Sequence, residues 1–518
     1  MPSRRWVAAV AVVAATAFVV RLAMVLRGAG LGGVFGYDDG VYYSASTSLL
    51  WGRMPYRDFL LLHPPGIVLA LAPFAALGRL TSDATGFETA RVGFMLVGSV
   101  NAGLVVVAAR RVGLVAATAG GLFYALWVPV ALTETTTRLE PLVTLGLLAA
   151  LAVLANRVGE TSRWAQVAAG CALGAAMAVK IWAAAPVAVV LVWCLWRLGP
   201  RATARVAAAG AATATAICLP FLLAAPTDMV RMVVLDQLHR PHSPGRTAHR
   251  LAGILGFLAW SPAAWCVAAG LTALVVMAAA APRPLGRAAV GLLVVQVTVL
   301  LLAPSYFPFY AAFVAPALAL VVAAGVACLR SARLRRVAVL ALTGGLAWLL
   351  TVVPGTSVGV ALPEQQLRPL MASDRCVTSD SPGLLVLLDV LSRDLSRQCR
   401  VMVDVSGLTY DTDASRHPGD RPRVRRLHDR AWQHDLGRYL TSGTATLLGR
   451  PRADGLSPHT WQRLDRLRLL RRGPGYALLA KTTGPGGLPS SSRTASLTGS
   501  GTVSRRYQVQ PGERPTRW

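Results

Sequence analysis

The sequence predicts an all-α protein that crosses a membrane about eleven times and carries a small α/β domain at its C-terminal end. Of its 518 residues, 54% are hydrophobic and 15% are charged, whereas a soluble domain carries about 25% charged residues. Long apolar runs recur through residues 1–354, and basic residues fall in alternate connections between them. This composition excludes a soluble globular enzyme, and its hydrophobicity excludes a disordered protein.

The apolar runs meet or approach the roughly 20 residues that a spanning helix requires. They cover residues 6–26, 87–109, 113–132, 141–156, 164–179, 181–196, 206–225, 262–281, 288–303, 310–329 and 337–353. A twelfth run, residues 64–80, opens with Pro-Pro. We predict that this run is a juxtamembrane or re-entrant segment on the outer side, because a full crossing would turn every later basic connection outward.

The net charge of +28 comes almost entirely from Arg, since Lys occurs only at Lys180 and Lys481. A balance this basic suggests nucleic acid or a membrane surface as the partner. Most of the arginines of the membrane part lie in short connections between apolar runs, which favours membrane lipid and leaves no need for nucleic acid. The positive-inside rule then places the N-terminus in the cytoplasm and an outer loop at residues 27–86. The expected location is the plasma membrane.

The composition changes after residue 354. Residues 355–481 mix charged residues with short apolar runs, which predicts an extracytoplasmic α/β domain. Residues 482–518 are rich in Gly, Ser, Thr, Pro and Arg, which predicts a disordered tail. Cys376 and Cys399 are the only two of the seven cysteines outside the apolar runs. In an oxidising compartment they could form a disulfide, and two free thiols are the alternative.

The first outer loop contains two adjacent carboxylates, Asp38 and Asp39, among several aromatic residues. Adjacent like charges raise each other's pKa, and partial desolvation adds to that effect. A carboxylate with a raised pKa can serve as a general base near neutral pH. The alternative is that the pair only caps the N-terminus of a helix.

The order of the motifs in this loop resembles the GT-C superfamily of membrane glycosyltransferases, in particular its protein O-mannosyltransferase and lipid A aminoarabinose-transferase branch. The matching motifs are Asp38-Asp39, Tyr42, Gly52 to Tyr56, and His63-Pro64-Pro65. The likeness continues more loosely through the rest of residues 1–354. It implies a polyprenyl-phosphate sugar donor and a catalytic base at Asp38. Because Asp39 is not Glu, which of the two carboxylates acts stays open.

Four basic residues are predicted to bind the donor phosphate. Lys180 is the only lysine of the membrane part, and a compact ammonium suits a phosphate as a point charge. The resemblance implies the same role for Lys180 and extends it to His63, although snorkelling to the interface is an alternative for Lys180. Arg240 and Arg246 lie in an outer loop that breaks the positive-inside rule. They could hold the phosphate bidentately or contact anionic lipid headgroups.

Five further residues are predicted to contact the sugar or the acceptor. They are Tyr42 and Tyr56 of the first loop, Glu140 at the end of the second outer loop, and Tyr306 and Tyr310 before the tenth span. For the last two, a place in the aromatic belt at the membrane interface is the alternative. No metal or cofactor is expected, because the eight histidines are not spaced as a metal site and the first loop lacks Asp-x-Asp.

The predicted function is transfer of a mannose- or arabinose-type sugar from a polyprenyl-phosphate donor to a hydroxyl of an envelope glycan, lipid or protein. The reaction would take place on the outer face, with an Asp base and inversion at the sugar. One alternative is a polytopic transporter or a flippase for lipid-linked sugars, a class that places ionisable residues near the bilayer midplane. A second alternative is a non-catalytic envelope scaffold that acts through residues 355–518.

Overall fold

The computed structural model describes residues 3–154, 162–238, 240, 247–281, 284–352, 359–373, 375–410, 426–450 and 455–481. These residues belong to two compact units that divide between Leu362 and Pro363. Arg246 and the predicted tail at 482–518 lie outside the described residues.

The described part of the first unit is helical. Its α-helices are α1 Arg4–Arg27, α2 Tyr37–Leu50, α3 Gly66–Leu80, α4 Asp83–Ala108, α5 Leu114–Leu126, α6 Val128–Thr133, α7 Leu139–Leu154, α8 Arg163–Val179, α9 Ala184–Leu198, α10 Pro200–Ala224, α11 Pro226–Val230, α12 Asp236–Leu238, α13 Thr247–Ile254, α14 Pro262–Ala280, α15 Pro284–Leu302, α16 Ala315–Ala327 and α17 Ala332–Val352. Short 3₁₀ turns at Ile181–Ala183 and Pro308–Val314 lead into α9 and α16.

Among the described residues, eight helical segments are long and apolar enough to cross a membrane. They are Arg4–Arg27, Asp83–Ala108, Ile181–Leu198, Pro200–Ala224, Pro262–Ala280, Pro284–Leu302, Pro308–Ala327 and Ala332–Thr351. Every predicted apolar run falls on a helix, although residues 113–132 divide into α5 and α6 at Trp127. The segment at 64–80 forms α3, a 15-residue helix with Pro73 inside it. The mainly helical membrane fold is therefore confirmed, and the number of spans stays a prediction.

Helices α8 and α10 approach each other closely because glycines line their contact. A Cβ atom on Gly174 would clash with the carbonyl group of Gly210, and one on Gly170 would clash with the carbonyl oxygen of Val206. Small residues that let helix backbones meet are typical of packing within membranes. This contact fixes the end of α8, where Lys180 follows.

A buried ion pair joins α1 to residues 134–140, which are predicted to lie on the outer side and are called the second outer segment. Arg21 of α1 donates to the Glu134 carboxylate, with Nε at 2.8 Å from Oε2. The same carboxylate accepts from the Tyr124 hydroxyl at 2.6 Å and from the Asn101 amide at 3.3 Å. Buried charges need this number of partners to offset their desolvation. Glu134 follows α6 directly, so the network fixes where the second outer segment begins.

The first unit extends past the boundary that the sequence predicted at residue 354. Val360 and Val34 exchange two backbone hydrogen bonds, each 2.9 Å long. This bridge ties residues after the last helix to the first outer loop. The compact units consequently divide at Leu362, inside the segment predicted as the C-terminal domain.

The second unit contains a four-stranded sheet and short helices. The strands are β1 Val377–Ser379, β2 Ala445–Leu448, β3 Arg468–Gly473 and β4 Tyr476–Ala480, in the order β1-β2-β4-β3. Strand β1 pairs with β2 in parallel, and the other pairs are antiparallel. The helices are α18 Glu364–Leu367, α19 Pro382–Leu387, α20 Leu391–Ser396, α21 Arg430–Leu440 and α22 Pro458–Leu464. Trp432, Leu436 and Tyr439 of α21 lie in its buried core. A small α/β unit follows the membrane part, in agreement with the prediction.

Cys376 and Cys399 form a disulfide in this unit, with Cα atoms 5.7 Å apart. The bond links the residue before β1 to the segment after α20. A disulfide that closes a loop of this length lowers the conformational entropy of the unfolded chain. This stabilises the fold by about 3 kcal/mol.

We expect the double change Cys376→Ser and Cys399→Ser to destabilise the second unit by about 3 kcal/mol, because it removes that limit on the unfolded chain. Pulse proteolysis of the full chain in increasing urea would measure the loss. Cys266→Ser, at an exposed free cysteine, is the control. Equal proteolysis of the double variant and the control would contradict the expectation.

Candidate active site

The two carboxylates of the first outer loop lie in the first turn of α2 and have different surroundings. The N-cap of α2 is Gly36, so neither carboxylate caps the helix. Asp39 is fully buried and pairs with Arg91 of α4, whose Nε and Nη2 lie 3.1 and 2.5 Å from Oδ2. Oδ1 of Asp39 accepts from the backbone N–H and the hydroxyl of Thr137, at 2.8 and 2.7 Å. Four donors therefore hold Asp39 in place.

Asp38 is open to solvent, with 37% of its side chain exposed. Its Oδ2 accepts from Arg138 Nη1 at 3.0 Å. Arg138 in turn lies over the ring of Phe309, with Cζ 3.7 Å from the ring centroid. Of the two carboxylates, Asp38 is thus the one that a substrate hydroxyl can reach.

A third ion pair lies between Lys180 and Glu140. Lys180 follows α8 directly, and its ammonium donates to Oε1 of Glu140 at 2.5 Å, with both side chains buried. The same ammonium lies 4.3 Å from the Trp182 ring centroid and 4.5 Å from that of Tyr310. Aromatic faces attract a cation most strongly where water is excluded. The predicted residues Lys180, Glu140 and Tyr310 therefore form one cluster.

The charges of Asp38 and Glu140, which belong to different ion pairs, both act on Tyr42. Burial and the Asp38 and Glu140 carboxylates raise its pKa, and Arg138 opposes them. The hydroxyl consequently stays protonated and lies within electrostatic reach of both carboxylates. The ring of Tyr42 also meets that of His63 edge-on, with centroids 5.9 Å apart.

His63 lies among positive groups. Its burial, Lys180 and Arg240 all lower its pKa well below the usual value, so the imidazole is neutral at pH 7. The side chain of Gln237 donates to the carbonyl oxygen of Leu62 at 2.7 Å, which ties the segment containing Arg240 to the His63 loop. An anion bound here would meet one ammonium, one guanidinium and one imidazole.

Two of the predicted tyrosines have structural contacts instead of an open position. Tyr56 is buried, and its hydroxyl donates to the carbonyl oxygen of His63 at 2.7 Å, which supports the loop from behind. Tyr306 packs against Gly253, and its ring centroid lies 6.4 Å from that of Tyr310. The structure does not bring either hydroxyl to Asp38.

The sequence alone did not identify Thr137 and Arg138 as partners of the carboxylate pair. Arg138 lies two positions before the predicted site residue Glu140, but the sequence does not indicate its contact with Asp38. Arg91 lies in the apolar run at residues 87–109, where a basic residue indicates a buried partner. Among the described residues, no three His, Cys, Asp or Glu side chains come together in a group that could hold a metal ion.

Comparison with known proteins extends these observations. No family model and no curated protein matches the sequence. Among solved structures, the chain is similar to ArnT from Cupriavidus metallidurans in the apo state, with a TM-score of 0.60 and 17% identity over 92% of this chain and 97% of that one. The structure of the same protein bound to undecaprenyl phosphate gives 0.57 and 16%, over 94% and 100%.

A third similar structure is the archaeal oligosaccharyltransferase AglB from Archaeoglobus fulgidus in complex with an inhibitory peptide and a dolichol-phosphate. Its TM-score is 0.56 at 10% identity, over 86% of this chain and 70% of that one. These identities are low, so the likeness concerns the arrangement of the helices. With its apolar helices, the chain is a multi-pass membrane protein that has the fold of the GT-C membrane glycosyltransferases.

Proposed function

We propose that this protein transfers a sugar from a polyprenyl-phosphate donor to a hydroxyl group of an envelope glycan, lipid or protein. The observation that carries the proposal is the cluster of Asp38, Arg138, Glu140 and Lys180 around Tyr42. A base open to solvent lies there beside a buried cation. Similar structures hold undecaprenyl phosphate or dolichol-phosphate, which supports a lipid phosphate as the donor's carrier. A mannose- or arabinose-type sugar stays our expectation, as does reaction on the outer face of the plasma membrane.

Asp38 acts as the general base in this proposal. Its carboxylate takes the proton of the acceptor hydroxyl, the acceptor oxygen forms a bond to the anomeric carbon, and the bond from that carbon to the phosphate oxygen breaks. This single displacement inverts the anomeric centre and releases polyprenyl phosphate. Asp39 instead accepts hydrogen bonds from Arg91 and Thr137, and these bonds fix the start of α2.

Lys180, His63 and Arg240 stabilise the departing phosphate. Preorganised donors are worth most where water is excluded and where charge develops in the transition state. Glu140 keeps Lys180 charged and oriented toward the aromatic rings. Arg246, which lies outside the described residues, stays a predicted ligand of the same group.

The experiment that tests the proposal is reconstitution of the purified protein in liposomes with a radiolabelled polyprenyl-phosphate sugar. We expect label to appear on an added acceptor, and none to appear with Asp38→Asn. Movement of the lipid-linked sugar across the bilayer without a new glycosidic bond would instead support a flippase. The buried Arg21–Glu134 pair is the observation that favours this second candidate, because transporters place ionisable residues within their spans.

Replacing Lys180 with Met together with Glu140→Gln is expected to lower donor kcat/KM by about a hundredfold or more, because a buried cation no longer meets the phosphate. The double change removes both charges and leaves no uncompensated carboxylate. Transfer measured against donor concentration checks the expectation. A double variant that transfers as fast as the wild type would show that the pair is only structural.

The pKa of His63 predicts that donor binding depends on pH. A bound phosphate would offset Lys180 and Arg240, raise the pKa of the imidazole and favour its protonation. Because binding would then take up a proton, affinity should increase as the pH falls from about 8 to about 5.5. Binding of undecaprenyl phosphate to the protein in nanodiscs measures this. His63→Gln is the control. Dividing the affinity of the wild type by that of this variant cancels the effect of protonating the phosphate itself. A ratio independent of pH would contradict the prediction.

A further inference from the structure

Two phenylalanine rings stack on each other where the chain enters the helical segment Pro308–Ala327. The rings of Phe307 and Phe309 are nearly parallel, at an angle of 7°, with centroids 5.4 Å apart. Phe307 is 43% exposed, which is a large fraction for so apolar a side chain. Tyr310 meets both rings edge-on, with its centroid 5.4 and 4.8 Å from theirs. The pair is therefore a supported aromatic surface with an open side.

Contacts connect this surface directly to the proposed base. Arg138 lies over Phe309, with Cζ 3.7 Å from the ring centroid, and donates to Asp38 at 3.0 Å. The hydroxyl of Thr133 also donates to the carbonyl oxygen of Phe309 at 3.4 Å, so the loop is tied to the end of α6. Because Arg138 already lies on the ring of Phe309, a molecule that covers the exposed ring of Phe307 would have the guanidinium and the carboxylate at its polar edge.

A sugar ring has the chemistry that this surface requires. The face of an aromatic ring is negative, and the C–H groups on one face of a sugar are polarised by the neighbouring oxygens. The hydroxyls around the rim of the sugar can then donate to Asp38 and accept from Arg138. An acyl chain would cover the ring of Phe307 but could not hydrogen-bond with Asp38 or Arg138, which would keep only their contact with each other.

The surface suits the acceptor better than the donor. In the proposed reaction Asp38 contacts the acceptor hydroxyl. Arg138 links Asp38 to the aromatic surface, because it donates to Asp38 and lies over the ring of Phe309. The donor phosphate is assigned to Lys180, whose ammonium lies on Trp182 and Tyr310 instead. The two substrates would thus use different aromatic faces.

We propose that Phe307 and Phe309 form the subsite for a sugar ring of the acceptor, and that the acceptor is a glycan. This inference rests on the proposed function, and it narrows the acceptor from three classes to one. Phe307 is a specificity residue that binds the acceptor and takes no part in proton transfer.

The test is transfer from polyprenyl-phosphate mannose and polyprenyl-phosphate arabinose to octyl mannoside, octyl arabinoside and a serine-containing peptide. We expect transfer to a glycoside and not to the peptide. Phe307→Leu keeps an apolar side chain without an aromatic face, and Phe307→Trp keeps the face. The Leu variant should raise the acceptor KM by about tenfold, the Trp variant should change it less than twofold, and the donor KM should not change. Trp348→Ala, at an exposed aromatic residue of α17, is the control.

The outcomes separate the subsite from the proposed function. Transfer to a glycoside with equal acceptor KM in the wild type and Phe307→Leu would overturn the subsite and leave the function standing. An equal rise in KM in Trp348→Ala would overturn it as well, because membrane contact would then explain both. Transfer to the peptide alone would overturn the glycan acceptor only. Absence of transfer to every acceptor would overturn the subsite and the function together.

Discussion

Replacing Asp38 with Asn is expected to slow sugar transfer by about 10²–10⁴-fold, the contribution of a well-placed general base. The amide keeps the size of the side chain and can still contact Arg138, but it cannot accept the acceptor's proton. Because Asp38 is 37% exposed and its ion pair reaches water, the loss of that pair should cost no more than about 1 kcal/mol of stability. The substitution should therefore lower the rate of transfer strongly and the stability of the protein only slightly.

Single-turnover transfer by purified wild type and variant measures this effect, with the melting temperature recorded on the same samples. Asp58→Asn is the matched control, since Asp58 is another partly exposed acid of the first loop and pairs with its neighbour Arg57. We expect the control to retain full activity. Full activity in Asp38→Asn would exclude Asp38 as the base, and full activity in both Asp38→Asn and Asp39→Asn would exclude the mechanism.

Much of the membrane fold could be predicted from the sequence because burial in lipid leaves a local signal. Apolar runs of 16 to 23 residues mark the helices, and the described part of each predicted run falls on helical structure. The break at Trp127 was not predicted, because α5 and α6 are both apolar and composition does not distinguish one helix from two. The pairing of Val34 with Val360 is likewise a contact between distant residues with no local pattern.

The sequence selects candidate members of the site but says little about the contacts between them. A single lysine among many arginines was enough to select Lys180, and motif order was enough to select His63 and the carboxylate pair. The difference between Asp38 and Asp39 has another origin. The two residues are neighbours of the same type, and only the position of Arg91 relative to α2 makes one buried and the other accessible. Sequence spacing contains no information on which of two adjacent side chains faces a residue 52 positions away.

Replacing Asp39 with Asn should destabilise the membrane unit by about 3–5 kcal/mol, the cost of leaving one member of a buried ion pair without its partner. The Arg91 guanidinium would remain between the rings of Phe35 and Phe87, at 3.9 and 4.1 Å from their centroids, with backbone carbonyls but no counter-charge. Thr137 would also lose a charged acceptor. The variant should melt earlier and transfer slowly, since the start of α2 would no longer be fixed beside Asp38.

A double-mutant cycle separates this coupling from a general effect of either substitution. Asp39→Asn, Arg91→Met and the combination of both would be melted in the same detergent. Because the double variant removes both charges, we expect it to be more stable than the sum of the single losses predicts, by about 1–3 kcal/mol. Additive losses would mean that the pair contributes no coupling energy, and Asp39 would then have to fix α2 through Thr137 alone. A stable, active Asp39→Asn variant would contradict both roles, because neither the ion pair nor the Thr137 contacts would then be needed to hold Asp38 in position.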